Sequence, residues 1–517
     1  MLGLSCSRGT LALETGESPP FGAGRLRRLR VGFRQESGRS DVPRLSPGVS
    51  RGDPPGPVAG HAARPSEQAA LSPAWHAGPE DRAHEFRRFP MKNRIGRLVS
   101  AAALATLAPL ALAQGGAVNR DLQAARRALH LADASVQRLA IPPLDAGPVE
   151  LDVTLAGRAH TVVLVPHSFR RPGFTLSITD AAGNPVRVDA PPPRTLRGEL
   201  LDVPGSAAAG SVIAGSFSGT ILLPDGGAWT IEPLRNAVPG ADPALHVVYD
   251  SAAALPDGHV CGVADDAPEL EPADGAAPSG GSRAFENCEI ALDADYEYYA
   301  NKFGSNLADT LADMENIIAN TAIAYERDCN VTFTITDAIV RTSEPDPYST
   351  TDPEGLLTQF RNHWNANHDD IHRDIAHMFT GKNLNGGVIG IAYLSVVCSS
   401  TNGYGLVESK YGGGLNNRIG LSAHELGHNF SAGHCDGSSP CKIMCSSING
   451  CDRLGTPPQF GVSATKITNY AANRPCLDDG GGGGGGLDLP FADDFPSTTI
   501  DPVKWTAISG AAVTDLA

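Results

Sequence analysis

At 517 residues with a formal net charge of -16, the chain is too long for a single core, and its acidity excludes a nucleic-acid backbone as partner of the whole molecule. Glycine (58) and proline (40) are abundant while charged residues make up only 19%, which implies two or three folded parts separated by long loops. After residue 113 no apolar run is long enough to span a bilayer.

Residues 1–90 are rich in Arg, Pro and Gly and show no helical or strand periodicity, so a mis-assigned or disordered leader is expected there. Lys92, Arg94 and Arg97 then precede the uncharged apolar stretch Leu98–Leu112, which ends in Ala111-Leu112-Ala113. A basic start, a short apolar core and small residues at the end form a secretory signal, which places the signal peptide at 91–113, the start of translation at Met91 and the mature protein outside the cell. Export permits disulfides. Apart from Cys6 in the leader, the cysteines are Cys261 and eight between Cys288 and Cys476, enough for four bridges with Cys261 left over.

The next segment, 114–263, is read as β-rich. Pro148–Val153 alternates apolar and polar residues, as do Ser211–Phe217 and Thr220–Leu223, and Asp225-Gly226-Gly227 marks a turn. An acidic linker rich in Pro, Gly, Ala and Ser follows at 264–282. Residues 283–479 change texture: a strand at Glu289–Ala294, a helix over Leu307–Tyr325, a strand at Val331–Val340, a helix at Leu356–His363, an apolar strand at Val388–Val397 and a helix from about Asn417 to Phe430. That alternation predicts an α/β (α+β) domain with a mixed sheet. A glycine linker (480–486) and residues 487–517, which read as the start of an incomplete β-domain, close the chain.

The chemistry concentrates in His424-Glu425-Leu426-Gly427-His428 on the last of these helices, whose stripe Ile419, Ala423, Leu426, Phe430 faces a core. Residues four apart share a helix face, so both imidazoles reach one ion. Zinc in a catalytic site takes three protein ligands and keeps one position open. Glu425, on the neighbouring face, is placed to take a proton from water. His434 supplies a third imidazole beyond Ser431-Ala432-Gly433; no Glu follows Glu425 to compete for that role, although Asp436 and Asp452 remain as carboxylates. Met444 lies ten residues after His434 in Lys442-Ile443-Met444-Cys445.

This succession, His424 to His434 followed by Met444, resembles the adamalysin or reprolysin branch of the metzincin zinc metallopeptidases, with Met444 in the place of the methionine turn. The likeness extends to Glu289–Asp295, to Arg373–Gly381 and to Gly390–Leu394 with Cys398, the stretch that forms the edge strand above the cleft in that family. It implies a secreted zinc endopeptidase acting on protein or peptide substrates, with a metzincin-like fold and an active-site helix; the sequence does not fix the oligomeric state, and a monomer is the expectation. It implies a Cys398–Cys476 disulfide and a structural calcium site at Glu289, Asp374 and Asp479, where three surface carboxylates are the plainer alternative. Two departures stand out: Ser431 replaces the usual Gly, which implies strain or a shifted turn with Gly433 absorbing it, and Cys435 separates His434 from Asp436. Cys435, Cys441, Cys445 and Cys451 read as disulfide staples around Met444, with a second zinc site as the alternative.

Cys261, in Gly258-His259-Val260-Cys261-Gly262-Val263, is a thiol that could fill the open zinc position from within the same chain. It resembles the cysteine switch of propeptides in this family, as do Leu196–Glu199, Trp229–Pro233 and His246–Tyr249. The competing reading is a secreted binding or adhesion protein with a non-catalytic zinc centre, against which an intact Glu425 argues.

Overall fold

The computed structural model describes residues 119–142, 144, 147–264, 285–409, 414–451 and 459–477. The expected leader, signal segment, acidic linker beyond residue 264, glycine linker and C-terminal β-strands lie outside them, as do Asp452 and Asp479.

Alternating burial builds the first sheet. In β2 (Val149–Leu155) Val149, Leu151, Val153 and Leu155 point inward while Glu150, Asp152 and Thr154 point out, as a sheet with one wet face requires. Together with β1 (Ser135–Arg138), β3 (Arg158–Pro166), β6 (Thr195–Leu200), β7 (Ala207–Ile213), β8 (Ser216–Leu222), β9 (Ala228–Pro233) and β10 (Leu245–Asp250) it forms an antiparallel sheet of order β1-β10-β9-β8-β7-β6-β3-β2. The run Ser211–Phe217 is not one strand. Ala214 (φ 47°) and Gly215 (φ 78°) both take positive φ, the signature of a two-residue hairpin, and the chain reverses there. Residues 119–128 are helical rather than extended, with Ala125 and Leu129 buried on one side of an Ala-, Arg- and Leu-rich segment of high helix propensity.

The second sheet gathers β12 (Glu286–Ala294), β13 (Val331–Val340), β14 (Ile375–Thr380), β15 (Val388–Ala392) and β16 (Tyr404–Glu408). All pair in parallel except β15, which runs antiparallel to β16. Every residue of β13 is buried, because both faces of the sheet are covered. Helix α1 (Leu307–Cys329) is capped by Asn306 and ends on left-handed Asn330; α2 (Pro353–Asn367) starts on an Asp352 cap with Pro in its first turn. Beyond them lie α3 (Gly414–Asn429) and the short α4 (Ala464–Ala471).

The two segments that differ so clearly in sequence texture share this sheet. Its order is β11-β15-β16-β14-β12-β13-β4-β5, where β4 (Arg170–Thr179), β5 (Pro185–Val188) and β11 (Val260–Cys261) come from the N-terminal region. A strand edge offers unpaired N–H and C=O groups, and the N-terminal region pairs with both: β4 with β13, β11 with β15. Helix α1 is consequently covered on two sides. One face carries Leu311, Met314, Ile317 and Ile318 into the core, while the helix also meets β7 and β8 of the first sheet.

Charge marks the contacts of α1 with the N-terminal region, from β4 of this sheet as well as from the first sheet. Arg170 donates to Glu315 through Nη2 at 3.1 Å, Arg194 pairs with Asp309 at 2.6 Å, and Arg197 donates to Glu326 at 3.0 Å. Glu315 is only 2% exposed, so its charge depends on Arg170. Arg170→Ala should therefore lower the stability of the full chain by about 3 kcal/mol. Urea unfolding measures this, and an unchanged midpoint would show that water reaches Glu315 without the arginine.

Candidate metal centre

Helix α3 is buried on nearly every side, with Ala423 and Leu426 of its apolar stripe wholly inaccessible. Gly427 has a packing role: a Cβ there would lie 2.4 Å from Met444 Sδ, so only glycine lets the methionine seat directly against the helix. Met444 itself is fully buried.

After Asn429 the chain turns sharply. Ser431 N–H donates to His428 O (2.9 Å) and Ala432 N–H to Gly427 O (2.9 Å), the paired bonds of a Schellman motif whose key residue is left-handed. That residue is Ser431 (φ 71°), and Gly433 does not take over the positive φ. The strain implied by serine thus falls on Ser431. Ser431→Gly should raise stability by about 1 kcal/mol, visible as a higher melting temperature; a lower one would mean that the hydroxyl outweighs the backbone cost.

The turn brings His434 back to the helix. Ring centroids of His424 and His434 lie 5.3 Å apart, those of His428 and His434 5.0 Å, and those of His424 and His428 4.6 Å. His424 Nδ1 lies 2.6 Å from Ile443 O and His428 Nδ1 2.7 Å from Ala432 O. A carbonyl only accepts, so each Nδ1 bears the proton and each Nε2 is left with a lone pair. Those two Nε2 atoms are 3.0 Å apart. Neither can donate to the other, and burial pushes the His424 pKa down to about 4 and that of His428 well below its usual value. Two lone pairs held face to face in a dry site repel unless a cation lies between them, so the donor set fits a metal ion, and its three-imidazole character suits zinc.

Cys261 joins this set: one donor atom each from Cys261, His424, His428 and His434 falls within 4.8 Å of the others. Its Sγ is 3.4 Å from His428 Nε2 and 3.7 Å from Glu425 Oε2. Burial and then the nearby Glu425 charge push the thiol up, and burial pushes the Glu425 carboxyl well up. Glu425 also abuts β15, where a Cβ on Gly390 would lie 2.3 Å from Oε1.

The strand expected over Val388–Val397 ends at Ala392. Beyond it the backbone leaves the sheet to pack on the end of α3, with Ser395 N–H donating to His428 O (3.0 Å) and Val396 N–H to Asn429 O (3.0 Å). On the outer edge of β15, Val260 faces Val388 and Cys261 faces Gly390 in parallel register. Gly262 N–H donates to Gly390 O (2.8 Å), Cys261 N–H to Ser446 O (2.9 Å) and Ile448 N–H to His259 O (3.2 Å). The segment around Cys261 is gripped between the edge strand and the loop after Met444.

Disulfides join Cys398 to Cys476, Cys435 to Cys441 and Cys445 to Cys451. The last two bracket Met444, and Cys435 N–H donates to Met444 O at 3.0 Å. Four bridges were expected from the cysteine count, but Cys288 and Cys329 are free thiols buried in the core, where burial raises their pKa and they pack as small apolar groups. Asp436 accepts from Ser446 N–H (3.0 Å) and Ser446 Oγ (2.7 Å) and is not one of the clustered donors around the imidazoles. Of the calcium set, Asp374 Oδ2 accepts from Glu289 N–H (2.8 Å), while the Glu289 carboxylate meets His372 at 2.6 Å and Arg171 of β4 at 3.5 Å. Sequence reasoning placed Gly390 in the edge strand and Met444 in the methionine turn but missed the contact of Gly390 with Glu425, the seat that Gly427 makes for Met444 and the Ser446 contact, since none of these leaves a local pattern.

Residues 285–471 match the family model Reprolysin_5, metallo-peptidase family M12. This segment is a reprolysin-type metzincin domain. The family is one of metallopeptidases, whose substrates are proteins, and no helix among the described residues is long and apolar enough to cross a membrane.

Proposed function

We propose that the chain is the precursor of a secreted zinc endopeptidase that cuts internal peptide bonds of proteins. The observation that carries this reading is the convergence of the His424 and His428 lone pairs, with His434 alongside and a buried carboxylate at their edge. His424, His428 and His434 would hold the ion, and zinc when bound would polarise the scissile carbonyl and lower the pKa of water to about 7. Glu425 is the group placed to accept a proton from the attacking water and return one to the leaving amine. The low-polarity surroundings that raise its pKa suit a group that must both accept and return a proton. Met444 supports the site from below. Calcium at Glu289, Asp374 and Asp479 would first have to displace Arg171 and His372 from Glu289.

In this reading 114–263 is a propeptide, 283–479 the peptidase, and Cys261 the fourth ligand that excludes water until a cut within 264–282 starts its release. The backbone of Val260 and Cys261 adds to the edge of β15, as an extended peptide adds to a sheet. Export rests on the signal at 91–113 and agrees with three disulfides.

Glu425→Gln should lower turnover by about 10²–10⁴-fold while metal analysis finds the same zinc content. Normal digestion of casein by that variant would remove Glu425 from the mechanism. Cys261→Ser should give an uncleaved precursor that already digests casein; if it is as silent as the parent chain, the thiol is not the lock.

A further inference from the structure

The start of α3 poses a separate problem. The first N–H groups of a helix have no partner within it, and a Ser, Thr, Asp or Asn just before it normally accepts one of them. Here the approach reads Lys410-Tyr411-Gly412-Gly413-Gly414, which contains no such residue. The nearest serine upstream, Ser409, has its Oγ engaged by Arg418 Nη2 at 2.9 Å.

The partners come from the other end of the chain. Leu415 N–H donates to Glu232 Oε1 at 3.1 Å, and Tyr249 O–H donates to the same oxygen at 2.8 Å. The Tyr249 oxygen in turn accepts from Asn416 N–H at 3.4 Å. Glu232 on β9 and Tyr249 on β10 are 2% and 1% exposed. The fit is close: a Cβ on Gly414, which has φ 60°, would lie 3.0 Å from Glu232 Oε1 and 3.4 Å from Tyr249 Oη. A carboxylate against the positive end of a buried helix also gains from the aligned peptide dipoles.

We propose that Glu232, braced by Tyr249, is the N-cap of the metal-binding helix supplied from the N-terminal region, and thus a second lock on that helix. Cys261 engages the helix near His428, and the Glu232–Tyr249 pair holds its opening turn; losing the N-terminal region takes this acceptor from a helix whose preceding residues, Lys410 to Gly413, include no Ser, Thr, Asp or Asn. This rests on the latency reading for its consequence, but not for its geometry. Glu232 is a positioning residue.

The test is hydrogen exchange on the full chain, with Cys261 intact. Glu232→Ala should speed exchange at Leu415, Asn416 and Asn417 about tenfold and leave β12 and β13 protected. Glu232→Gln, which keeps an acceptor oxygen without the charge, should fall between the two, and Tyr249→Phe should free Asn416 first. Thiol alkylation of Cys261 should quicken in parallel with exchange. Exchange at Leu415 and Asn416 unchanged within twofold in Glu232→Ala would overturn the proposal. If that variant does not fold, Glu232→Gln and Tyr249→Phe decide by the same readout. The latency reading fails separately, through a silent Cys261→Ser precursor. Faster exchange without faster alkylation would retain the cap and overturn its role as a lock.

Discussion

Two imidazole lone pairs 3.0 Å apart, in a site too dry to protonate them, are the constraint around which the rest of the centre is arranged. Such a contact is repulsive in a neutral protein and becomes attractive only with a cation between the nitrogens. Holding it requires each ring to be fixed from behind, and the two backbone carbonyls that do so lie outside the helix, at Ile443 and Ala432. The loop carrying Ile443 is held by the Cys435–Cys441 and Cys445–Cys451 disulfides, and Ala432 by the Schellman turn. Gly427 lets the methionine seat close enough for Ile443 to reach the ring. The motif is thus a set of mutual requirements: spacing within the helix provides two donors, and everything after Phe430 orients them and returns a third.

The N-terminal region is built into the peptidase sheet and not merely laid over it. It extends β13 with β4 and β15 with β11, and it covers α1. The covered face of α1 carries Asp309, Glu315 and Glu326, each met by an arginine. An apolar face there would give a tighter joint, but it would leave a sticky surface if the regions parted. Charge pairs bury without strong net gain, and their carboxylates can be rehydrated when uncovered. The joint is mixed, since Phe169, Leu176, Ala209 and Leu222 also enter the same core as Leu311 and Met314; on the precursor reading proposed above, the charged part is the part that would tolerate separation.

The histidine cluster was legible because its information is local: helical spacing aligns His424 with His428, and Ser431-Ala432-Gly433 signals a turn. The long helices were legible from their periodicity and β13 from its alternation of Val331, Phe333 and Ile335 with threonines, although that alternation does not reveal that both faces are buried. The end of β15 was not legible, since Leu394, Val396 and Val397 stay apolar for a different reason: after Tyr393, whose N–H still donates to Tyr404 O, the chain packs on the end of α3. The polar face of α1 reads as solvent-facing from sequence alone, and only the fold reveals the arginines opposite it. Cysteine parity singled out Cys261 on incomplete grounds. Cys288 and Cys329 are thiols as well, and what distinguishes Cys261 is its place beside His428, which no count could supply.

The strand that carries this thiol is only two residues long; together with its pairing to β15, Cys261 N–H and Gly262 N–H donate to Ser446 O and Gly390 O, and His259 O accepts from Ile448 N–H. A free peptide of that length would compete poorly with a substrate. Its occupancy follows from attachment to a larger body, which converts a weak bimolecular contact into an intramolecular one at an effective concentration in the millimolar range or above. That body is anchored at β13 and α1, upstream of the linker. If the chain is the precursor proposed above, a cut between residues 264 and 282 would sever the covalent connection without loosening the anchor. The lifetime of latency after such a cut would then be set by the β4–β13 pairing, the arginine–carboxylate contacts along α1 and the cap on α3.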